Sequence, residues 1–275
     1  MTTIIAKFVH LDGSKVTERI VGLGGTGIVI QQGQYALKIP RLSRDIEIDG
    51  VLLINDSSTP EAGDYDIRSD LISSLERERA VYRRLGNYPG IVHCYNLSST
   101  DHSIQMDLMK KGDLRHYLAQ LEIRPEKKIQ LSWLANMAQT LGYIHDRRVI
   151  VADIRLDNLL LDDQLAIRFS DFGESTLMPL DWDLDGDDDD GYSILTDLGQ
   201  FGAVMFEIVT GQGCKFDLMQ NWKDVGDPLT WPRRDTLPST SDVWLGHIIE
   251  KCWTQGFRSA KDLAEELDNV VLNEN

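Results

Sequence analysis

The chain has 275 residues, 42% of them hydrophobic, and a formal net charge of −16 at pH 7. That length and apolar content suit one folded unit with a sizeable core, with no room expected for another domain. The acidic balance argues against general binding to nucleic acid or anionic membranes and permits basic partners.

Three scattered cysteines, Cys94, Cys214 and Cys252, form neither a disulfide framework nor a zinc spacing. The first residues lack a long apolar run, so no signal peptide or membrane span is expected. A reducing setting is expected, cytoplasmic with the nucleus as the alternative.

Residues 4 to 9 read as a strand, with Asp12-Gly13 as a turn. Gly22, Gly24 and Gly27 then match G-x-G-x-x-G, with Val29 two residues on. Glycines at such spacing let backbone N–H groups approach phosphates closely. The same pattern also suits a plain hairpin turn. A dinucleotide fingerprint needs a helix next, whereas Ile28-Val29-Ile30-Gln31 is strand-like. After the Gly33 turn, Tyr35 to Ile39 is a short strand carrying Lys38. Residues 41 to 67 are polar and punctuated by Gly and Pro, an exposed insertion.

A helix is expected over 68 to 85, because Leu71, Leu75, Glu78, Tyr82 and Leu85 share one helical face. Glu78 is thus a carboxylate on an apolar stripe. Burying it unpaired is costly, so it requires a cation. Glu76 lies off that stripe. A second helix should span 126 to 147, with Leu134, Met137, Leu141 and Ile144 on one face and a structural His145 near its end.

Asp153 and Asn158 are followed by the buried-strand triplet Leu159-Leu160-Leu161, a turn at Asp162-Asp163, and a strand over 166 to 169. Asp171 leaves that strand into a Gly bend. A strand–turn–strand unit brings Asn158 and Asp171 together, with Asp153 nearby. Two hard oxygen donors suit Mg²⁺, which shares its shell with phosphates. The remaining carboxylate can accept a proton from an attacking hydroxyl. A nearly all-apolar, hence buried, helix comes next over 196 to 210, capped by Thr196 or Asp197 and ended by Gly211. Pro228, Trp231-Pro232 and Pro238 mark a loop, and helices at about 241 to 254 and 259 to 272 close the chain.

In order, these stretches resemble the eukaryotic-type protein kinase superfamily over roughly residues 15 to 272. The resemblance implies an α+β bilobal fold. Residues 1–106 would form a lobe with a small antiparallel sheet plus one helix, and 107–275 a larger, mainly helical lobe. Asp153-Ile154-Arg155-Leu156-Asp157-Asn158 is similar to the catalytic loop H-R-D-x-x-x-x-N, and Asp171-Phe172-Gly173 to D-F-G. Asp153 would be the base, Asn158 and Asp171 the metal ligands, and Arg155 a phosphate contact.

Lys38 would hold the α- and β-phosphates and pair with Glu78. ATP would meet Gly22, Gly24, Gly27, Val29, Ala36, Met106, the backbone of Asp107 to Met109, Asp113 and Leu160. Asp197 would support the backbone of the catalytic loop. The implied cofactors are ATP with Mg²⁺, Mn²⁺ being the alternative ion.

Departures from the family pattern are equally specific. Val151-Ala152 stand where the family has His-Arg, so control through a phosphate on the next segment is doubtful. No A-P-E motif is present. Only 26 positions separate Asp171 from Asp197, and no Lys or Arg occurs between Arg168 and Lys215.

The stretch Asp181 to Asp190 admits three readings: a solvated loop, a docking surface for a basic substrate or partner, or a Ca²⁺ site. The last rests on Asp181, Asp183, Asp185, Gly186, Asp187 and Asp189 in EF-hand-like positions. It lacks the closing Glu, which is Tyr192. The function expected is γ-phosphoryl transfer from ATP to a protein hydroxyl. Ser or Thr is favoured, and Arg155 keeps Tyr open. The rivals are a nucleotide-binding module presenting the acidic loop to a basic partner, and a small-molecule phosphotransferase. A monomer is expected.

Overall fold

The computed structural model describes residues 4–48, 51–55, 67–224 and 226–270. Two compact units emerge, Met1–Gly86 with His93–Leu108, and Asn87–Val92 with Met109–Asn275.

The first unit carries β1 (Ile4–Val9), β2 (Ile20–Leu23), β3 (Gly27–Gln32), β4 (Tyr35–Pro40), β5 (Leu42–Ile48), β6 (Val51–Asn55), α1 (Ile67–Leu85), β7 (Cys94–Tyr95) and β8 (Ile104–Asp107). Two antiparallel sheets result, one ordered β1-β5-β6 and the other β2-β3-β4-β8-β7. The glycine-rich stretch is the β2–β3 hairpin, which makes Gly22 the cross-strand partner of Val29.

Ile28, Ile30 and Ile39 are buried with Phe8, Val16 and Leu37 packed against them. Val9, Leu42 and Leu71 form a second cluster that ties β1 and β5 to α1. Full burial of each such side chain contributes about 1.5–3 kcal/mol.

The stretch over 41 to 67, expected as an exposed insertion, carries two strands that were not expected there. Its first part is β5 and β6, which pair antiparallel with β1 and with each other. The polar composition misled because a sheet ladder satisfies backbone groups whatever the side chains are. Residues 56–66 of that stretch lie outside the described residues.

The second unit contains α2 (Leu114–Ala119), α3 (Lys127–Asp146), β9 (Val149–Ile150), β10 (Leu159–Leu161), β11 (Ile167–Phe169), β12 (Thr176–Leu177), α4 (Ile194–Thr210), α5 (Gly246–Trp253) and α6 (Ala260–Asp268). The α3 stripe of Leu134, Met137, Leu141 and Ile144 is buried. α3 packs on α6 and α4, and α4 packs on α5, where the Phe206 and Trp253 rings lie 5.8 Å apart.

α4 is buried on most faces, as its composition requires. Its cap is Ser193 rather than Thr196 or Asp197. The Ser193 hydroxyl accepts from the Thr196 amide while the Thr196 hydroxyl accepts from the Ser193 amide, a reciprocal capping box. α5 starts later than expected because residues 240 to 246 are spent in turns. A sheet-rich first unit and a mainly helical second unit make the α+β class. Among the described residues no helix is long and apolar enough to cross a membrane.

Candidate active site

In the first unit the strand register aligns the residues singled out by sequence. Gly22 is partnered by Val29, Val29 by Lys38 and Lys38 by Ile104 across four adjacent strands. Ala36 is likewise opposite Met106, and both are buried. A Cβ on Gly27 would sit 2.8 Å from Lys38 Cε, so this glycine is required by the lysine's stem.

Lys38 Nζ lies 2.6 Å from Glu78 Oε2, with both side chains almost fully buried. Glu76 serves a different cation, lying 3.0 Å from Arg79. The Arg79 guanidinium is buried and donates to the carbonyls of Ser99 at 2.9 Å, Asp101 and Ser103. It therefore fastens α1, and with it Glu78, to the loop before β8. A planar fork of donors suits three converging carbonyls. Sequence reasoning missed Arg79, although its place four residues after Leu75 and three before Tyr82 sets it on the flank of the same stripe, while the exposed Arg77 faces away.

Asp107 is tied down twice. Its amide donates to the His93 carbonyl at 3.0 Å, and its carboxylate accepts from the Tyr95 hydroxyl at 2.7 Å. That hydrogen bond pushes the Tyr95 phenol up to about 12.

In the second unit the keystone is Asp197 on α4, which is fully buried. Its carboxylate accepts from the amides of Val151 and Ala152, both at 2.8 Å, and lies 2.9 Å from His145 Nε2. His145 is thus a structural histidine, and Asp197 supports the loop backbone as expected. Ala152 holds a left-handed backbone with φ of 64°, strained for a residue with a side chain. The Asp197 carboxylate offsets that strain by fixing the amide there.

Gln200, one turn further along α4, also reaches this loop. Its side chain was not anticipated, although a carboxamide in a nearly all-apolar helix was the one signal available.

Asn158 closes a 3₁₀ turn, Leu156–Asn158. Its carboxamide nitrogen donates to the Asp153 carbonyl at 3.0 Å and to the Asp153 carboxylate at 2.8 Å. That fixes the carboxamide's flip and leaves its oxygen as the remaining acceptor. The Ser170 amide donates to the Asn158 carbonyl at 2.9 Å, and β10 pairs with β11. Asp171 is the next residue, with φ of 57°, and Phe172 is buried beside it. Hence Asp153, Asn158 and Asp171 are brought together in one unit.

Arg155 Nε lies 3.5 Å from Asp153 Oδ2 and 3.9 Å from Asp157 Oδ2. Leu160 forms a backbone bridge with Asp113, whose carboxylate accepts from the His116 amide as the cap of α2. Met109 lies in the turn just before, its carbonyl accepting from the Gly112 amide.

The segment that leads into the acidic stretch lies along the same loop. β12 pairs with β9, the Ser175 hydroxyl donates to the Val151 carbonyl at 2.9 Å, and the Met178 amide to the Arg148 carbonyl at 2.9 Å. Asp188 organises the far end of the stretch, accepting from the amides of Asp190 and Tyr192 and from the Thr176 hydroxyl. Asp183 and Asp185 likewise turn onto nearby amides. Among the described residues, no group of three or more His, Cys, Asp or Glu could hold a metal ion, which leaves the EF-hand-like spacing without a coordinating cluster. Burial, reinforced by Glu174, Asp153, Asp188 and Asp190, raises the Tyr192 phenol above its ordinary value.

Comparison with known proteins accords with this geometry. A family model described as protein kinase domain matches residues 62–184. The phosphorylase b kinase gamma catalytic chain, liver/testis isoform, of Bos taurus is 31% identical over 104 residues, which is 37% of this chain and 25% of that protein. The tyrosine-protein kinase receptor svh-2 of Caenorhabditis elegans is 24% identical over 155 residues, covering 50% of this chain and 14% of the receptor. The matched stretch thus spans a quarter or less of either relative.

Proposed function

We propose that the chain is a member of the eukaryotic-type protein kinase superfamily and, within it, an active ATP- and Mg²⁺-dependent kinase acting on a protein hydroxyl, Ser or Thr before Tyr. The observation that carries this reading is the buried Lys38–Glu78 ion pair. Desolvating two charges costs several kcal/mol per ion, and apolar residues often serve stability as well. A pair kept at that cost is better explained by a need for a fixed ammonium than by stability.

Lys38 would hold the non-transferred phosphates, with Glu78 fixing its position. Asn158 and Asp171 would hold the metal. Their hard oxygens suit Mg²⁺, and the Asn158 nitrogen is already engaged by Asp153, so its oxygen is the donor left. When bound, Mg²⁺ neutralises the charge that develops on the phosphates.

Asp153 would accept the proton of the acceptor hydroxyl as that oxygen bonds to the γ-phosphorus and the bond to the ADP oxygen breaks. Arg155, beside Asp153, would contact the transferred phosphoryl group. Asp107 and Met109 would meet the adenine and Asp113 the ribose, as the family resemblance implies.

The absence of basic residues between Arg168 and Lys215 supports a basic acceptor. The test offers γ-labelled Mg·ATP with a Lys/Arg-rich protein, an acidic protein and a panel of small alcohols. Label on Ser or Thr of the basic protein is expected. Label confined to a small alcohol would overturn the reading in favour of a small-molecule phosphotransferase.

A further inference from the structure

Gln200 makes two hydrogen bonds that bracket the proposed base. The Ile154 amide donates to Gln200 Oε1 at 2.9 Å. The Gln200 carboxamide nitrogen donates to the Ala152 carbonyl at 2.7 Å. Ala152 precedes Asp153 and Ile154 comes after it, so one side chain on α4 grips the backbone immediately before and immediately after the carboxylate.

The two bonds need a donor and an acceptor about 2 Å apart on one planar group, which a carboxamide supplies without depending on a protonation state. They also meet a specific local need. Ala152 is left-handed, with φ of 64°, and Asp197 holds only the amides on its N-terminal side, those of Val151 and Ala152. Without Gln200, the Ala152 carbonyl and the Ile154 amide lose their side-chain partners where the chain turns towards Asp153. Ala152 itself has no polar side chain with which to hold this segment.

We propose that Gln200 is a positioning residue for the phosphoryl transfer, fixing the direction of the Asp153 carboxylate by clamping the peptide groups on both sides of it. The inference rests on the kinase reading. It concerns a residue that touches neither nucleotide nor acceptor. Its signature is therefore a change in kcat with the KM for ATP preserved, since misplacement of a reacting group by a fraction of an ångström slows the chemical step without weakening ground-state binding.

Two variants separate positioning from a general loss of folding. Gln200→Met keeps the length and removes both bonds. Gln200→Glu keeps the acceptor for the Ile154 amide and loses the donor to the Ala152 carbonyl. Steady-state transfer is measured for both beside the wild type, below the melting midpoint of each as read by thermal shift. We expect kcat to fall at least about tenfold for both variants, with the KM for ATP within about twofold of wild type.

If the Met variant does not fold, the Glu variant decides alone. A kcat for the Glu variant equal to wild type, or a loss that tracks the folded fraction, overturns the role of Gln200. An active wild type with unaffected variants thus removes this inference only. A wild type that transfers no phosphate to any acceptor removes the kinase reading, and this role with it.

Discussion

Among single residues, Lys38 and Glu78 make the most specific statement. Each is a charge in a place where an unpaired charge is costly. Glu78→Gln leaves the buried ammonium without its carboxylate and is expected to cost about 3–5 kcal/mol. Lys38→Met combined with Glu78→Leu removes both charges, and should regain most of that stability while abolishing transfer. Urea unfolding of the three proteins measures this. A double variant as unstable as the single one would show that the pair is held for stability after all. Glu78 was legible in the sequence as a carboxylate on an apolar stripe. The neighbouring Arg79 was not, because its carbonyl partners at Ser99, Asp101 and Ser103 are brought to it only by the tertiary fold.

Among the elements, the β10–β11 hairpin sets Asn158 beside Ser170 and so beside Asp171. Its turn is held by Asp162, which accepts from the amides of Gln164 and Ala166 and from Arg168. Burial raises the Asp162 pKa, but the Ala166 amide, Arg168 and the Gln164 amide outweigh it, and the net shift is downward from 3.8. A depressed folded pKa contributes stability that is fully present above the ordinary value and is lost as pH falls through the folded one. The stability difference between wild type and Asp162→Asn should therefore be constant from neutral pH to about 5 and shrink below it. Urea midpoints at stepped pH test this, and a difference that stays constant into strong acid contradicts it.

This hairpin was legible because the Leu triplet, the Asp pair and the Gly bend each carry a local signal. β5 and β6 were missed although Ile46 and Ile48 alternate with polar residues just before the Asp49-Gly50 pair. Alternation around Asp-Gly is a hairpin signature, but it was outweighed by the charge of the surrounding stretch. Ser193 was passed over as the α4 cap for a similar reason. Thr196 and Asp197 are equally good capping types, and only the backbone geometry at Ser193 decides among them. Gln200 illustrates the general limit. A polar residue in a buried helix signals a partner, and the partner's identity is a fact of the fold.

For the molecule as a whole, the proposed preference for a basic acceptor rests on the acidic balance. The chain carries a net charge of −16, and the stretch from Arg168 to Lys215 contains no other basic residue. Exposed charges attract over a distance that shrinks from about 10 Å at 0.1 M salt to about 3 Å at 1 M. The KM for a Lys/Arg-rich acceptor should therefore rise several-fold over that range while kcat holds. Replacing Asp187, Asp189 and Asp190, all exposed, by Asn should flatten the dependence. A KM independent of salt would leave the stretch as a solvated loop with no part in recognition.

The kinase reading turns on Asp153 as the base of a phosphoryl transfer, and a single comparison decides it. Labelled γ-phosphate transfer from Mg·ATP is measured for the wild type and for Asp153→Asn, with ATP affinity determined on the same samples. Expected are transfer by the wild type, a loss of about 10²–10⁴-fold in the variant, and unchanged ATP affinity. Transfer by the variant within tenfold of wild type, or ATP binding without transfer in both, would contradict it.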